Sequence, residues 1–187
     1  MVYLQCTRQP LLNPLRPLSF SDMMYMHMKL RNKTHISASD YEVFWAWFGQ
    51  FMQKIRHQKP ISTLWMAGYI IGFITKSSAI KILEHQADGT FIVRFSERVP
   101  GQFAIAYVKK RAVKHYLVTK EDISSPARSL AHFIASKKIL STVVKVVSPD
   151  LTQFANPKVE LVPKSVAFAE WMTSPTTPVP GYDQDLN

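Results

Sequence analysis

The chain has 187 residues, 47% hydrophobic and 19% charged, which places it in the globular class with room for one packed domain of ordinary size and an appendage. Its single cysteine, Cys6, excludes an internal disulfide and fits a reducing compartment, the cytosol or the nucleus. The net charge of +10 favours phosphorylated or polyanionic partners, but the cations lie in small groups (Arg31/Lys33, Lys54/Arg56/Lys59, Lys109/Lys110/Arg111, Lys137/Lys138) and form no single nucleic-acid-binding stripe.

Residues 1–20 contain Pro10, Pro14 and Pro17, which bar a continuous helix or central strand, and the segment is expected to be irregular. It lacks the unbroken apolar stretch of a secretory signal. Met23, Met24, Met26 and Met28 follow between Ser21 and Leu30. Thioethers recruit soft metals beside cysteines or in exposed repeats, so these methionines read as core filler and no metal is expected. Asp40 to Ile55 forms an amphipathic helix capped by Ser39 or Asp40, with Phe44, Trp47, Phe48, Phe51 and Ile55 at spacings of three and four. Core packing explains that aromatic face; an aromatic ligand box is the sharper alternative. The longest apolar run, Trp65 to Ile74, is too short to span a bilayer.

Thr75 caps a helix over Ser77 to His85, with Ala79, Ile80 and Leu83 as its buried stripe and Asp88-Gly89 as the turn out. Lys76 stands in its first turn, beside free amides and a positive dipole end that suit an anion. In the strand that follows, Phe91, Val93 and Phe95 share one face while Arg94 and Ser96 share the other. A guanidinium fork beside a hydroxyl suits a doubly charged phosphate monoester. The alternative is an arginine paired with Glu97 or reaching out of an edge strand.

Pro100-Gly101 leads into a strand over Gln102 to Val108, and a basic hairpin tip, Lys109-Lys110-Arg111, into another over Val113 to Val118. Alternation puts His115 and Tyr116 on opposite faces. Ser125-Pro126 starts a helix that buries Leu130, Phe133 and Ile134. Leu140 to Val147 is a β-branched run suited to a last strand or an extended packing segment. From Thr173 onward Pro175, Pro178 and Pro180 give an extended, solvated tail with Tyr182 at its tip. The sequence carries no Gly-rich phosphate loop, nucleophile elbow or His-Glu-x-x-His, and its histidines have no ligand spacing, so neither an enzyme nor a cofactor is expected.

The run Gly89-Thr90-Phe91-Ile92-Val93-Arg94-Phe95-Ser96-Glu97 resembles the signature strand of Src-homology-2 domains, whose arginine is the floor of the phosphotyrosine pocket. The block from Leu64 to Lys76 resembles the start of that domain in the signal transducers and activators of transcription (STAT proteins). Phe44-Trp45-Ala46-Trp47-Phe48 is similar to the aromatic helix of their linker domain. The resemblance covers residues 22–187 and implies an α+β Src-homology-2 fold, a small central antiparallel sheet flanked by helices, behind a helical linker. The division it implies is 1–20 irregular, 21–63 linker, 64–172 Src-homology-2 domain and 173–187 tail.

The same resemblance implies that Lys76 and Arg94 share the phosphate and that Ser96 and Glu97 are the next two pocket positions. Lys114-His115-Tyr116 look more like ordinary Src-homology-2 domains, in which the histidine braces the pocket and the tyrosine lines the groove beyond. Val162 to Trp171 resembles the extra C-terminal helix of STAT members, which replaces the late strands of other Src-homology-2 domains, with Leu151 to Leu161 inserted before it. Tyr182 matches the regulatory tyrosine that a kinase phosphorylates and a second molecule binds, although Asp183, Gln184 and Asp185 depart from the usual continuation. The implied partners are phosphotyrosine peptides of receptors or kinases and a homodimeric or heterodimeric STAT-like partner, with DNA reached only through domains missing here and no membrane insertion. The implied location is cytoplasmic, moving to the nucleus on activation. Two other readings stay open: a monomeric Src-homology-2 adaptor, and a basic nucleic-acid binder.

Overall fold

The computed structural model describes residues 2–10, 12, 14–31, 33–124, 128–147 and 158–172. The N-terminal segment differs from the irregular stretch expected of it, because Val2–Cys6 forms a short helix, α1. The prolines forbid helix only from Pro10 onward, and the segment is held down by buried polar contacts. The Tyr3 hydroxyl donates to the Arg16 carbonyl at 2.6 Å and accepts from Trp65 Nε1 at 3.0 Å. Gln9 donates to Thr7 and accepts from the Arg16 amide. The Arg16 guanidinium lies 4.6 Å from the centre of the Trp65 ring, a cation held against an aromatic face.

Two helices follow, α2 (Phe20–Lys29) and α3 (Ala38–His57), each opened by a capping box, Ser19 with Asp22 and Ser37 with Asp40. The cap of α3 is thus two residues upstream of the nearer expected one, because Asp40 fills the third helical position and reaches back to the Ser37 amide. Trp47, Phe48, Phe51 and Ile55 are buried, joined by Met52, while Phe44 is half-buried and stacked on Phe48. The methionines of α2 are not the core filler expected. Met23, Met24 and Met28 are 50%, 49% and 41% exposed, and only Met26 packs against the core. Tyr25 takes the buried position instead.

Helix α4 (Lys59–Met66) leads into a short strand, β1 (Ile70–Gly72), and then α5 (Lys76–Leu83), capped by the Thr75 side chain as expected. Ala79 and Leu83 are its buried residues. The sheet continues with β2 (Thr90–Phe95), β3 (Phe103–Lys109), β4 (Ala112–Leu117), β5 (Thr142–Val146) and β6 (Val159–Pro163), in the order β4-β3-β2-β5-β6. It is mixed: β3 pairs antiparallel along one edge of β2, while β5 runs parallel to its start at Thr90 and Phe91, and β1 to its end at Val93 and Arg94. At the β3–β4 turn Lys110 and Arg111 have positive φ, and Asp88 accepts both of their amides.

The helix after β4, α6 (Leu130–Ser136), is capped by Ser129; the expected start at Ser125-Pro126 lies outside the described residues. The C-terminal end also corrects an expectation. Val159–Pro163 is a late strand, antiparallel to β5, and the expected helix is two single turns, α7 (Lys164–Ala167) and α8 (Ala169–Met172). The β-branched alternation on β5 supplies a pairing edge, and Val159 to Val162 take it.

Every residue of β2 is buried, because the strand is central and both of its faces are covered. Phe91, Val93 and Phe95 join a large core with α3, α4, α6 and α8, whereas Ile92 joins Ala79, Leu83, Ala106 and Val108 beneath α5. Phe95 is the hub of the large core: it stacks on Phe51 of α3 at 4.1 Å and on Trp65 of α4 at 5.5 Å, and meets Phe73 edge-on at 4.9 Å. Gly72 makes that stacking possible. Its φ is +79°, and a Cβ there would sit 2.5 Å from the Trp65 ring and 2.9 Å from Phe95.

Candidate phosphate-binding site

Strand alternation carries Arg94 to the face of the sheet that α5 covers, two positions from Ile92. Its antiparallel neighbour is Ala104, and that of His115 on β4 is Ala106. The small alanines of β3 keep the floor between the two polar residues low. Arg94 is 5% exposed. Its Nη1 donates to the Phe95 carbonyl at 3.1 Å and lies 3.6 Å from Glu97 Oε2, while Nε is buried without a partner. The pairing with Glu97 that the strand pattern left open is therefore present, though longer than a good charge-assisted hydrogen bond. Burial pulls the guanidinium pKa below its ordinary value, with Glu97 and Tyr25 opposing.

Glu97 Oε2 also accepts the backbone N–H of Lys76 at 3.1 Å, one of the free amides at the start of α5. The Lys76 side chain is exposed. Ser96 is buried, and its Oγ accepts the Val99 amide at 3.0 Å, holding the turn that follows the strand. Both ring nitrogens of His115 are buried without partners. Burial first, then the positive charges of Lys76 and Arg94, push the His115 pKa down to about 4, with Glu97 opposing. The imidazole is thus neutral at pH 7.

Arg94, Glu97, His115 and the start of α5 at Lys76 come together at one end of β2, with Ser96 in the adjoining turn. Tyr116 is not among them. It lies on the opposite face, stacked on Phe133 of α6 at 5.7 Å, with its hydroxyl donating to Asp122 at 2.9 Å. Tyr182 lies outside the described residues.

Two contacts to this site arise from residues that sequence patterns did not assign to it. Trp47 Nε1 of α3 donates to the Ser96 carbonyl at 3.0 Å, and Lys29 Nζ of α2 donates to the Glu97 carbonyl at 2.6 Å. The Lys29 ammonium also lies 5.1 Å from the Trp47 ring centre. Burial lowers its pKa and Glu97 opposes that shift. Nearby Tyr25 is buried with its hydroxyl unpartnered, and burial raises its pKa. A lysine in the last turn of a helix reads as a solvated end, so no local signal announces a bond to a carbonyl 68 positions away.

Comparison with known proteins gives two family matches, an EF-hand fold domain over residues 1–58 and an SH2 domain over residues 69–148. The first raises the question of calcium, and the residues do not fit it. The connection between α2 and α3, residues 30–37, offers Arg31 and Lys33 but no carboxylate, whereas a calcium loop supplies several acidic oxygens. Asp40 is bonded instead to Lys33 Nζ at 2.7 Å. Among the described residues no helix is long and apolar enough to cross a membrane. The chain is 35% identical over 187 residues to signal transducer and activator of transcription A of Dictyostelium discoideum, with 97% of this chain and 26% of that protein covered. It is 34% identical over 159 residues to signal transducer and activator of transcription B of the same organism, covering 71% of this chain and 14% of that protein. The chain therefore spans about a quarter or less of these relatives. With the sheet, the flanking helices and the helical region in front of them, these likenesses make this a STAT-like chain that contains a Src-homology-2 domain, a signalling module of the phosphotyrosine-binding class.

Proposed function

We propose that this chain docks phosphotyrosine on Arg94 and serves dimerisation and receptor docking in signalling to transcription. The observation that carries the reading is Arg94 itself, a guanidinium 5% exposed with an unpartnered Nε beside the N-terminus of α5. A phosphate seated there meets a fork, helix amides and the neighbouring charge of Lys76, which together suit a dianion. Ser96 and His115 border the seat, and Glu97 lies within it. Phosphotyrosine peptides of receptors or kinases are the ligands. The reading is of a binding module, without a catalytic step.

Phosphorylated Tyr182 is the ligand for a second copy or a STAT-like partner, and the contact is reciprocal. From Trp171 to Tyr182 the chain has eleven steps, at most roughly 36–40 Å when extended, enough to reach a close neighbour. Two such contacts around a two-fold axis make the second one intramolecular. Such a dimer forms in the cytoplasm and moves to the nucleus, where DNA is bound through parts of a longer protein. Sedimentation of the protein before and after tyrosine phosphorylation, beside Tyr182→Phe, tests this. A phosphorylation-dependent dimer lost in Tyr182→Phe is expected. An unchanged monomer that still binds phosphopeptides leaves an adaptor, and salt-dependent DNA binding without response to phosphopeptide indicates a nucleic-acid binder.

A further inference from the structure

Resting on the phosphotyrosine reading, we infer that the Glu97 carboxylate is an internal competitor that occupies the anion seat until a phosphate displaces it. A side chain conventionally grouped with the ligand-holding residues then opposes binding. The geometry is that of an anion already bound. Glu97 Oε2 accepts the Lys76 amide at 3.1 Å and stands 3.6 Å from Arg94 Nη1, the two groups an incoming phosphoryl oxygen would use. Among the other early amides of α5, that of Ser78 is taken by the Thr75 hydroxyl at 3.0 Å. The carboxylate therefore holds a free amide of the helix, next to the buried guanidinium. It is free to leave, because its side chain is 30% exposed.

The loop that carries Glu97 does not leave with it. The Ser96 and Glu97 carbonyls are tied to Trp47 and Lys29, and Val99 is tied to Ser96 Oγ. The backbone thus stays while one side chain rotates out. Charge decides which ligands can drive that rotation. The charges of Arg94 and Lys29 act on a single carboxylate, and His115, which feels Lys76, Arg94 and Glu97, is neutral at pH 7. A phosphate ester brings a charge of about −1.5 to −2 and replaces the carboxylate with a gain in attraction. A singly charged ester brings no more charge than Glu97 already supplies. The carboxylate thus sets a charge threshold at the mouth of the site.

The test is a titration of the whole chain, as parent, Glu97→Gln, Glu97→Ala and Arg94→Ala, with one peptide carrying phosphotyrosine or its sulfotyrosine counterpart. Thermal melts of each variant establish folding, and Glu97→Ala serves should the glutamine keep the seat through its amide. The expected result is phosphopeptide binding tightened roughly three- to thirty-fold in the Glu97 variants, the scale of one partly buried anion at a helix N-terminus. The sulfopeptide should gain by a larger factor, so that discrimination narrows. Unchanged or weaker phosphopeptide binding in both folded Glu97 variants overturns the inference while leaving the phosphotyrosine reading intact. A parent and variants that all ignore the phosphopeptide, or an Arg94→Ala that binds like the parent, overturn the phosphotyrosine reading itself. Binding that emerges only in the Glu97 variants supports a seat held firmly shut.

Discussion

Arg94 is the residue on which the proposed binding rests, because burial leaves its charge poorly solvated and only partly compensated by Glu97. Arg94→Ala should reduce phosphopeptide affinity by about 2–5 kcal/mol, the loss typical of truncating one partner of a buried charge pair, as read by calorimetry. Arg94→Lys should lose nearly as much, since it keeps charge without the fork. Lys76→Ala should cost less, because that side chain is exposed and screened. His115 makes a pH prediction. Its folded pKa is about 4, against roughly 6.5 in an unfolded chain. Between those values the unfolded chain carries a proton that the folded chain refuses, so this contribution to stability is complete above the higher value and is lost as pH falls toward the lower. Urea midpoints at pH 7.5 and pH 5 should converge in His115→Gln relative to the parent. A phosphate beside Arg94 supplies the missing countercharge, so phosphopeptide binding near neutral pH should take up protons in the parent and less so in the variant.

The elements transmit order to this site through α3 and β2. Phe51 stacks on Phe95 at 4.1 Å, one residue beyond Arg94, and Trp47, one helical turn earlier, bonds the Ser96 carbonyl. A single helix face therefore fixes both the end of the strand and the start of the turn. Trp47→Phe keeps most of the ring and removes the donor, leaving a buried carbonyl unpaired. The expected cost is about 1–3 kcal/mol in urea unfolding. Phosphopeptide affinity should fall with it, because the turn that sets Ser96 beside Arg94 is released. A variant equally stable and equally tight would show that the Trp47 bond does not position the turn.

The whole molecule is held by a core that does not respect the division between helical region and sheet. Trp47, Phe48, Phe51, Trp65, Phe73, Phe95 and Phe103 belong to one buried cluster. A fragment of residues 64–172 would expose the faces of Phe73 and Phe95 that α2 and α3 cover and the face of Trp65 held by Tyr3 and Arg16. Each fully buried large side chain contributes about 1.5–3 kcal/mol, and a domain has only about 5–15 kcal/mol in total. The fragment should therefore aggregate or melt without a cooperative transition, while the whole chain melts as one unit. A cooperative melt of the fragment near that of the whole chain would indicate that the sheet stands without its linker.

Alternation and cap chemistry are local, and for that reason the amino-acid order alone determined the strand bearing Arg94, the Thr75 cap, the hairpin at Lys109 to Arg111 and the opposed faces of His115 and Tyr116. A helix or strand sets the facing of its own side chains within a few residues. The short helix before Pro10 and the strand from Val159 were not legible, because each is held by partners far along the chain: Tyr3 by Trp65 and Arg16, and β6 by β5. The methionines of α2 were misjudged for the same reason. Their spacing suits a buried face, but Tyr25 occupies the interior position against Trp47 and Phe73. At the candidate site, the strand pattern pointed to Arg94 and Ser96, and the family resemblance added Lys76, Glu97 and His115. Only the tertiary structure decided that Lys29 and Trp47 hold the turn and that Glu97 rests on the Lys76 amide, since such contacts depend on where distant elements pack.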